Sequence, residues 1–370
     1  MGTSLEVREL TPDEYPQWRA LVEASPAGSV YAIPEYLEVL AGCAGGSFVV
    51  RAVFKGEEMV GGIGLYQEER GRRAASAPRL LLFYNGPVLK RDTRRYPGRV
   101  QSRRLATLQA LEDSLRKDGP GKMILRLRSP LADVRAFQEA GWQAKPAYTL
   151  VVPLDDLSAL WGRMDRNARR MVERAQEEGL RLTEDDDFES FFGLHQEIHE
   201  RKGAPLYLPE GPFRRYVTEL RDRGLLRLYH ARLRDGEVAS SQLVLLSDHP
   251  VTHTVTAASA ARHHRTGASP FLRWKVFEAL SEEGYEANDL TSAGTGEVTR
   301  FKAQLGGDLE VCMEVSRTTR AYRWAGAPAR VLRLGRRAAR KLLRPFLARS
   351  RTRDGGAAEG PRSGGDGEDR

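Results

Sequence analysis

The segment AVFKGEEMVGG at 52–62 and the segment ARLRDGEVASS at 231–241 share one outline: an apolar strand, a charged turn around a glycine, and a returning strand. Each is a hairpin signal, and the elements after each hairpin also recur. A long helix, a strand, a short helix, a glycine turn and a last apolar strand close both halves. The turn and strand are GWQAKPAYTLVVPL at 141–154 and GGDLEVCMEVS at 306–316. This order, used twice, restricts the chain to a duplicated α/β unit with mixed sheets flanked by helices.

The first half opens on a helix from Thr11 to about Ala24, whose start combines a capping hydroxyl, Pro12 and the capping-box Glu14. A second helix follows Pro34. The hairpin strands are expected over Phe48–Phe54 and Met59–Tyr66, with Arg79–Leu89 continuing the sheet. A helix over Val100–Lys117, a strand over Met123–Leu127, a helix over Asp133–Ala140 and a strand over Tyr148–Leu154 complete the half. One long helix, Asp156–Glu178, rich in Arg and Glu and closed by Gly179, links to the second half. There, helices near Phe188–Arg201 and Pro212–Arg223 precede strands Leu226–Leu233, Val238–Leu246 and Val251–Ala257. A helix capped by Ser269 before Pro270, a strand at Asn288–Leu290, a helix at Glu297–Leu305 and a strand at Leu309–Val315 finish it.

A chain of 370 residues exceeds what one hydrophobic core usually supports, which agrees with two domains. The expected boundaries are 1–155 and 156–320, the second including the linking helix. No stretch approaches the roughly 18 to 20 apolar residues of a membrane span, and the amino terminus lacks a signal-peptide pattern. A cytoplasmic protein is expected. The thiols Cys43 and Cys312 are too few and too far apart for a zinc cage, and both read as buried.

The net charge of +8 is local. Eight cations and no carboxylate lie between Pro328 and Arg349, so the remaining sequence is close to neutral and is no general polyanion binder. Within 321–349, Val331, Leu334, Ala338, Leu342 and Phe346 recur at helical spacing among these arginines, which reads as a basic amphipathic helix. Such a helix suits an anionic inner membrane face, a tRNA acceptor stem, or the protein's own surface. Residues 350–370, full of Gly, Asp, Glu and Ser, are expected to be disordered. His195 and His199 stand one helical turn apart, but position 196 is Gln, so the metalloprotease pattern is absent. They read as a satisfied surface pair, and no metal is expected.

Several segments in order resemble the FemAB family of peptidoglycan bridge-forming peptidyltransferases and its BioF2-like acetyltransferase relatives, within the GNAT superfamily. They are VYAIPEYLEVL (30–40), FYNGPVL (83–89), RNARRMVERAQEEGL (166–180), ERKGAPLYLPE (200–210), TGASPFLRWKVFEALSEEGYEANDLTSA (266–293) and GEVTRFKAQLGGDLE (296–310). The resemblance spans about residues 10–318 and implies two tandem GNAT-like domains. It further implies transfer of an acyl group, commonly an amino acid carried on tRNA, to an amine of a peptidoglycan precursor. By this resemblance Lys302 of the Phe-Lys pair stabilises the tetrahedral intermediate, with Phe301 packed beside it.

Acyl transfer needs an amine without its proton, a cation or donor where oxyanion charge develops, and a proton for the leaving atom. Asp289 and Glu297 are the general-base candidates near Lys302, each equally able to cap or solvate. Asn85 and Gly86, at a strand end, are candidate substrate contacts. Arg166, Asn167, Arg170, Arg201, Lys202 and Tyr207 could hold an anionic acceptor, guanidinium groups binding phosphate bidentately. The turn Arg262, His263, His264, Arg265, Gly267 and Ser269 precedes a helix amino terminus and is a candidate donor-phosphate site. It departs from the acetyl-CoA loop pattern Q/R-x-x-G-x-G/A, with His264 in the Gln/Arg position and Ser269 in the second Gly/Ala position.

No tightly bound cofactor is expected, only aminoacyl-tRNA or acetyl-CoA as co-substrate. Two further readings stay open: an acetyl-CoA-dependent N-acetyltransferase acting on a polysaccharide, lipid or small-molecule amine, and a non-catalytic relative that binds membrane or nucleic acid.

Overall fold

The computed structural model describes residues 4–69 and 74–325. From residue 326 onward the expected basic helix and disordered tail lie outside the described residues. In the first half the chain forms β1 (Leu5–Glu9), α1 (Tyr15–Ala24), α2 (Pro34–Ala44), β2 (Ser47–Lys55), β3 (Glu58–Glu69) and β4 (Ala74–Ser76). It continues with β5 (Val88–Leu89), α3 (Pro97–Asp118), β6 (Lys122–Leu127), α4 (Arg135–Glu139) and β7 (Gln143–Pro153). Two linking helices come next, α5 (Leu157–Arg163) and α6 (Arg166–Glu177). The second half is β8 (Arg181–Glu184), α7 (Phe188–Lys202), α8 (Glu210–Asp222), β9 (Leu226–Arg232), β10 (Val238–Leu245) and β11 (Val251–Ser259). It ends with α9 (Ala268–Glu282), β12 (Ala287–Asp289), α10 (Glu297–Ala303) and β13 (Asp308–Thr318). A separate unit begins at Thr319, and its short helix α11 (Arg320–Ala325) is described.

The expected duplication is visible in the strand order β1-β2-β3-β4-β6-β13-β7-β12-β11-β10-β9-β8. Read from either end, an antiparallel run leads into a parallel pair, β4 with β6 in one half and β11 with β12 in the other. The two closing strands are exchanged: β13 lies between β6 and β7, and β7 lies between β13 and β12. Their mutual register runs from Asp308↔Val151 to Ser316↔Gln143, an antiparallel ladder at the centre of the sheet.

Helix faces join the halves a second time. On α2 the buried positions Tyr36, Leu37, Val39, Leu40 and Cys43 follow a helical stripe, and α8 presents Phe213, Tyr216, Val217 and Leu220 to it. Fully burying each large side chain contributes about 1.5–3 kcal/mol. The two phenols, Tyr36 and Tyr216, meet at 2.9 Å, which satisfies polar groups inside an otherwise apolar layer. Cys43 and Cys312 are free and buried.

Two expected elements differ. The long linking helix is broken at Met164 and Asp165, both extended. The Asp165 carboxylate accepts from the Asn167 amide at 2.8 Å as a new N-cap, while its own amide donates to Gln304 at 2.9 Å, so a tertiary contact outweighs helix propensity. Residues 79–89 form no continuous strand; a turn bridges Arg79 and Leu82, and only Val88–Leu89 joins the sheet. The short outer strands β1 and β8, LEVRE and RLTE, carry too few apolar residues to announce themselves.

The exchange fixes where the chain can be divided. A fragment of residues 156–320 lacks the strand between β12 and β13, whereas 143–320 retains it. Because both fragments bare the α8 face that α2 covers, each is co-expressed with residues 1–142; the longer one is expected to give a soluble complex with a cooperative urea transition and the shorter one to aggregate, read by circular dichroism and gel filtration. Equal behaviour of the two would contradict a structural need for β7.

Candidate active site

Parallel pairing of β11 with β12 covers only Val251↔Ala287 to His253↔Asp289, after which β11 runs on to Ser259 paired with β10 alone. The two strands part, and a cleft of about 720 Å³ opens there. Its walls come from β11, the loop after β12, α7, α9, α10 and residues 78–83 of the first half. The corresponding gap between β4 and β6 in the first half is closed. Asn85 fills it: its Nδ2 donates to the Ile124 carbonyl and its Oδ1 accepts from the Arg126 amide, both at 2.9 Å, replacing a strand neighbour. A Cβ on Gly86 would stand 2.8 Å from the Arg126 carbonyl, so only glycine allows this approach. Asn85, 3% exposed, and Gly86 therefore plug the first gap and do not line the cleft.

Lys302 does line it. The ammonium donates to the carbonyls of Leu290 at 2.6 Å, Thr291 at 2.5 Å and Ser292 at 3.0 Å, which uses all three hydrogens. Those carbonyls converge because Thr291 and Ser292 adopt left-handed φ values of 47° and 67°. For a β-branched threonine this is a strained backbone, of the kind that collects at functional sites. Burial, and secondarily the neighbouring Arg273 guanidinium, push the Lys302 ammonium down to about 8. Phe301 packs on the apolar cluster of the second half.

Asp289 holds the strained loop from below. Fully buried, it accepts from Tyr84 Oη at 2.7 Å, Thr149 Oγ1 at 2.5 Å and the Thr291 amide at 2.8 Å, with His253 Nδ1 at 3.6 Å. Burial by itself would raise this carboxyl, but the His253 ring and the two hydroxyls outweigh it and hold it at about 2. So placed, outside the cleft wall, Asp289 is a weak base and an anchor for Thr291. Glu297 is exposed at the start of α10.

Arg273 and His195 are cleft groups that the sequence pattern does not reveal. Arg273 stands in the apolar run PFLRW of α9, is 6% exposed, and lacks a hydrogen-bond partner for Nε and Nη1. Its burial lowers the guanidinium to about 10. A buried cation without an anion costs several kcal/mol. His195 is no surface residue: it is 1% exposed among Phe191, Phe213 and Tyr207, its Nε2 has no partner, and burial followed by the neighbouring His199 lowers it to about 4. His199 Nδ1 sits 2.7 Å from the Pro205 carbonyl.

Of the other candidates, Lys202 and Tyr207 line the cleft and Arg201 does not. Arg166, Asn167 and Arg170 are exposed on α6, Arg170 donating to Asn167 at 3.0 Å, and also lie outside the cleft wall. Arg262 and His263 are spent on Glu237, while His264 and Arg265 lie outside the cleft wall. The residue capping α9 is Gly267, at φ 77°, and Ser269 falls inside the helix. A Cβ at Gly267 would meet the Met171 carbonyl at 2.4 Å, so this turn is packed directly on α6.

Altogether the cleft wall holds Arg79, Arg126, Lys202, Arg273 and Lys302 and no Asp or Glu among the described residues. Arg79 and Arg126 have carboxylate partners behind the wall, Glu68 and Glu314. No group of three or more His, Cys, Asp or Glu able to hold a metal occurs among the described residues. No described helix is long and apolar enough to cross a membrane.

Residues 162–303, which hold α6 to α10 and the cleft, match the sequence profile of the acetyltransferase (GNAT) domain family. That domain and the fold define the class, an N-acyltransferase of the GNAT type. Over the whole chain the likeness is one of fold. The crystal structure of FemX superposes with a TM-score of 0.69 at 14% identity, covering 87% of this chain and 99% of that one. The C-terminal domain of a putative lysylphosphatidylglycerol synthetase from Agrobacterium fabrum gives 0.54 at 14% identity, covering 87% and 98%. L-PGS from Bacillus licheniformis gives 0.54 at 12%, covering 85% and 94%. No curated protein sequence matches the chain.

Asp289 links folding to acidity. Its folded pKa lies below the ordinary 3.8, so its contribution, about 2 kcal/mol, is complete above pH 4 and is lost as pH falls through about 2. Urea unfolding of Asp289→Asn between pH 2 and 6 is expected to show lower stability at pH 6 and a shallower acid decline than wild type. Parallel curves would remove Asp289 from the linkage.

Proposed function

We propose that this chain is a FemAB-like N-acyltransferase that moves an aminoacyl or acyl group onto an amine of a cell-envelope precursor, peptidoglycan or polysaccharide. The observation that carries the reading is the open, cation-walled gap of the second half, with Lys302 fixed at its strained edge. A wall without carboxylates favours substrates that bring negative charge, as tRNA, CoA and nucleotide-linked or acidic precursors do. Aminoacyl-tRNA is the donor suggested by the FemAB-like architecture. Acetyl-CoA is the alternative, supported by the match of 162–303 to the GNAT profile.

In the reaction the amine nitrogen attacks the donor carbonyl carbon, the C–N bond forms, and the carbonyl oxygen takes up negative charge. Lys302 releases its longest bond, to the solvated Ser292 carbonyl, and turns that hydrogen to the oxyanion. Collapse breaks the bond to the leaving oxygen or sulfur. The amine's proton passes to a neutral acceptor, the leaving atom or the unpartnered Nε2 of His195. Outside the described residues, the basic segment 328–349 is proposed to hold the enzyme against an anionic inner membrane or the donor tRNA, on its charge and helical spacing.

Labelled aminoacyl-tRNA and labelled acetyl-CoA, offered in parallel to purified wild type and Lys302→Ala, test this. Transfer from one donor is expected, with a loss of roughly a hundredfold or more in the variant. Transfer unchanged in Lys302→Ala would remove this lysine from the chemistry, and binding of neither donor would favour a non-catalytic protein.

A pH series adds a second check. The ammonium is charged well below about 8 and loses its proton through that value, so kcat/KM should decline as pH rises through it, and a profile flat to about pH 9.5 would contradict the assignment.

A further inference from the structure

Arg273 is a cation that the protein itself leaves unneutralised. Two buried carboxylates, Asp289 and Glu314, are occupied by other partners. Asp289 is surrounded by Tyr84, Thr149 and the Thr291 amide, and Glu314 by Arg126 and Lys145. No hydrogen bond or ion pair of Arg273 occurs among the described residues, although its helix delivers it to the cleft wall next to Lys302. A surface arginine in this condition would mean nothing, because water would solvate it. At 6% exposure water reaches little of it, Nε and Nη1 being buried without a partner, and a ligand's negative charge would complete the group.

We infer that Arg273 is the binding group for a free carboxylate on the substrate that enters the cleft. The shape and burial of the guanidinium favour that anion. Arg273 lines the cleft together with Thr254 and Leu290, where β11 and the loop after β12 have separated. A carboxylate is a compact terminal group matching the planar guanidinium, whereas a phosphodiester or diphosphate continues on both sides and needs an open groove. The inference rests on the transferase reading for its meaning: with Arg273 electrostatically coupled to Lys302, the carboxylate lies close to the reacting carbonyl. Two sources would supply it, the terminal carboxylate of a peptide or amino-acid acceptor, or the side-chain carboxylate of an acidic acyl group.

Equilibrium binding to the full chain tests the site without requiring transfer. N-acetyl-D-alanine stands for the terminal carboxylate and the α-amide of N-acetylaspartate for the side-chain carboxylate. Their uncharged counterparts, N-acetyl-D-alaninamide and the α-amide of N-acetylasparagine, are controls, and methyl phosphate is a competing anion. Ligand line broadening is measured with wild type, Arg273→Lys, Arg273→Met and Lys302→Ala, after thermal melts of each. One carboxylate is expected to bind about tenfold or more tightly than its amide, and which one does so names the source. Arg273→Met should melt no lower than wild type and lose the preference, Arg273→Lys should weaken it, and Lys302→Ala should keep it. The inference is overturned if wild type does not distinguish acid from amide, or if the preference survives in Arg273→Met. It is also overturned if methyl phosphate outcompetes both carboxylates, or if Arg273→Met fails to fold and Arg273→Lys keeps the full wild-type preference. A protein that binds the carboxylate but transfers nothing would sink the transferase reading and leave this site standing.

Discussion

The antiparallel ladder between β7 and β13 is the contact from which the rest of the molecule takes its position. Each strand closes one half of the chain yet hydrogen-bonds to the other half, so neither sheet is complete without its partner's last strand. The ladder also reaches the edge of the cleft. Thr149 on β7 reaches Asp289 on the adjoining β12, and Asp289 holds the Thr291 amide at the point where the backbone turns left-handed. A displacement of the exchanged strands would therefore be felt at the Lys302 carbonyl cluster.

Each half has a gap beside its parallel strand pair, and the two gaps differ. In the first half the gap is filled by the Asn85 amide and the close approach of Gly86. That half then contributes Phe83 and Arg79 to the neighbouring cleft and Tyr84 to the carboxylate beneath it. In the second half the gap stays open and carries an unpaired arginine, a lysine spent on three carbonyls and an unpartnered imidazole. Features that would be defects in a scaffold are concentrated in this one cleft.

The repeated hairpins, the helices with strong caps and the closing strands were legible because hydrophobic period and turn glycines are local signals. The Lys302 position came through resemblance of the Phe-Lys segment. The break at Asp165 was not legible, since its cause is the distant Gln304 carbonyl. Neither was the exchange of β7 and β13, because pairing partners are not written in either strand. Arg273 and His195 escaped for a related reason. An arginine inside PFLRW looks like a solvated residue on an amphipathic helix, and only its burial and its lack of a partner in the fold show otherwise. Asn85 was noticed, but its position at a strand end does not tell whether its amide meets a substrate or the backbone of β6.

The strand exchange also orders events during synthesis. β6 has its alternating buried face and one hydrogen-bonding edge ready once residue 127 has emerged, yet that edge waits for residues 308–318 much later in the chain. At roughly 5–20 residues per second on the ribosome, the first half spends on the order of ten seconds or more with an open strand edge. Until β13 arrives, the nascent chain offers that edge to any extended peptide nearby, which makes this interval the one in which a chaperone would matter most.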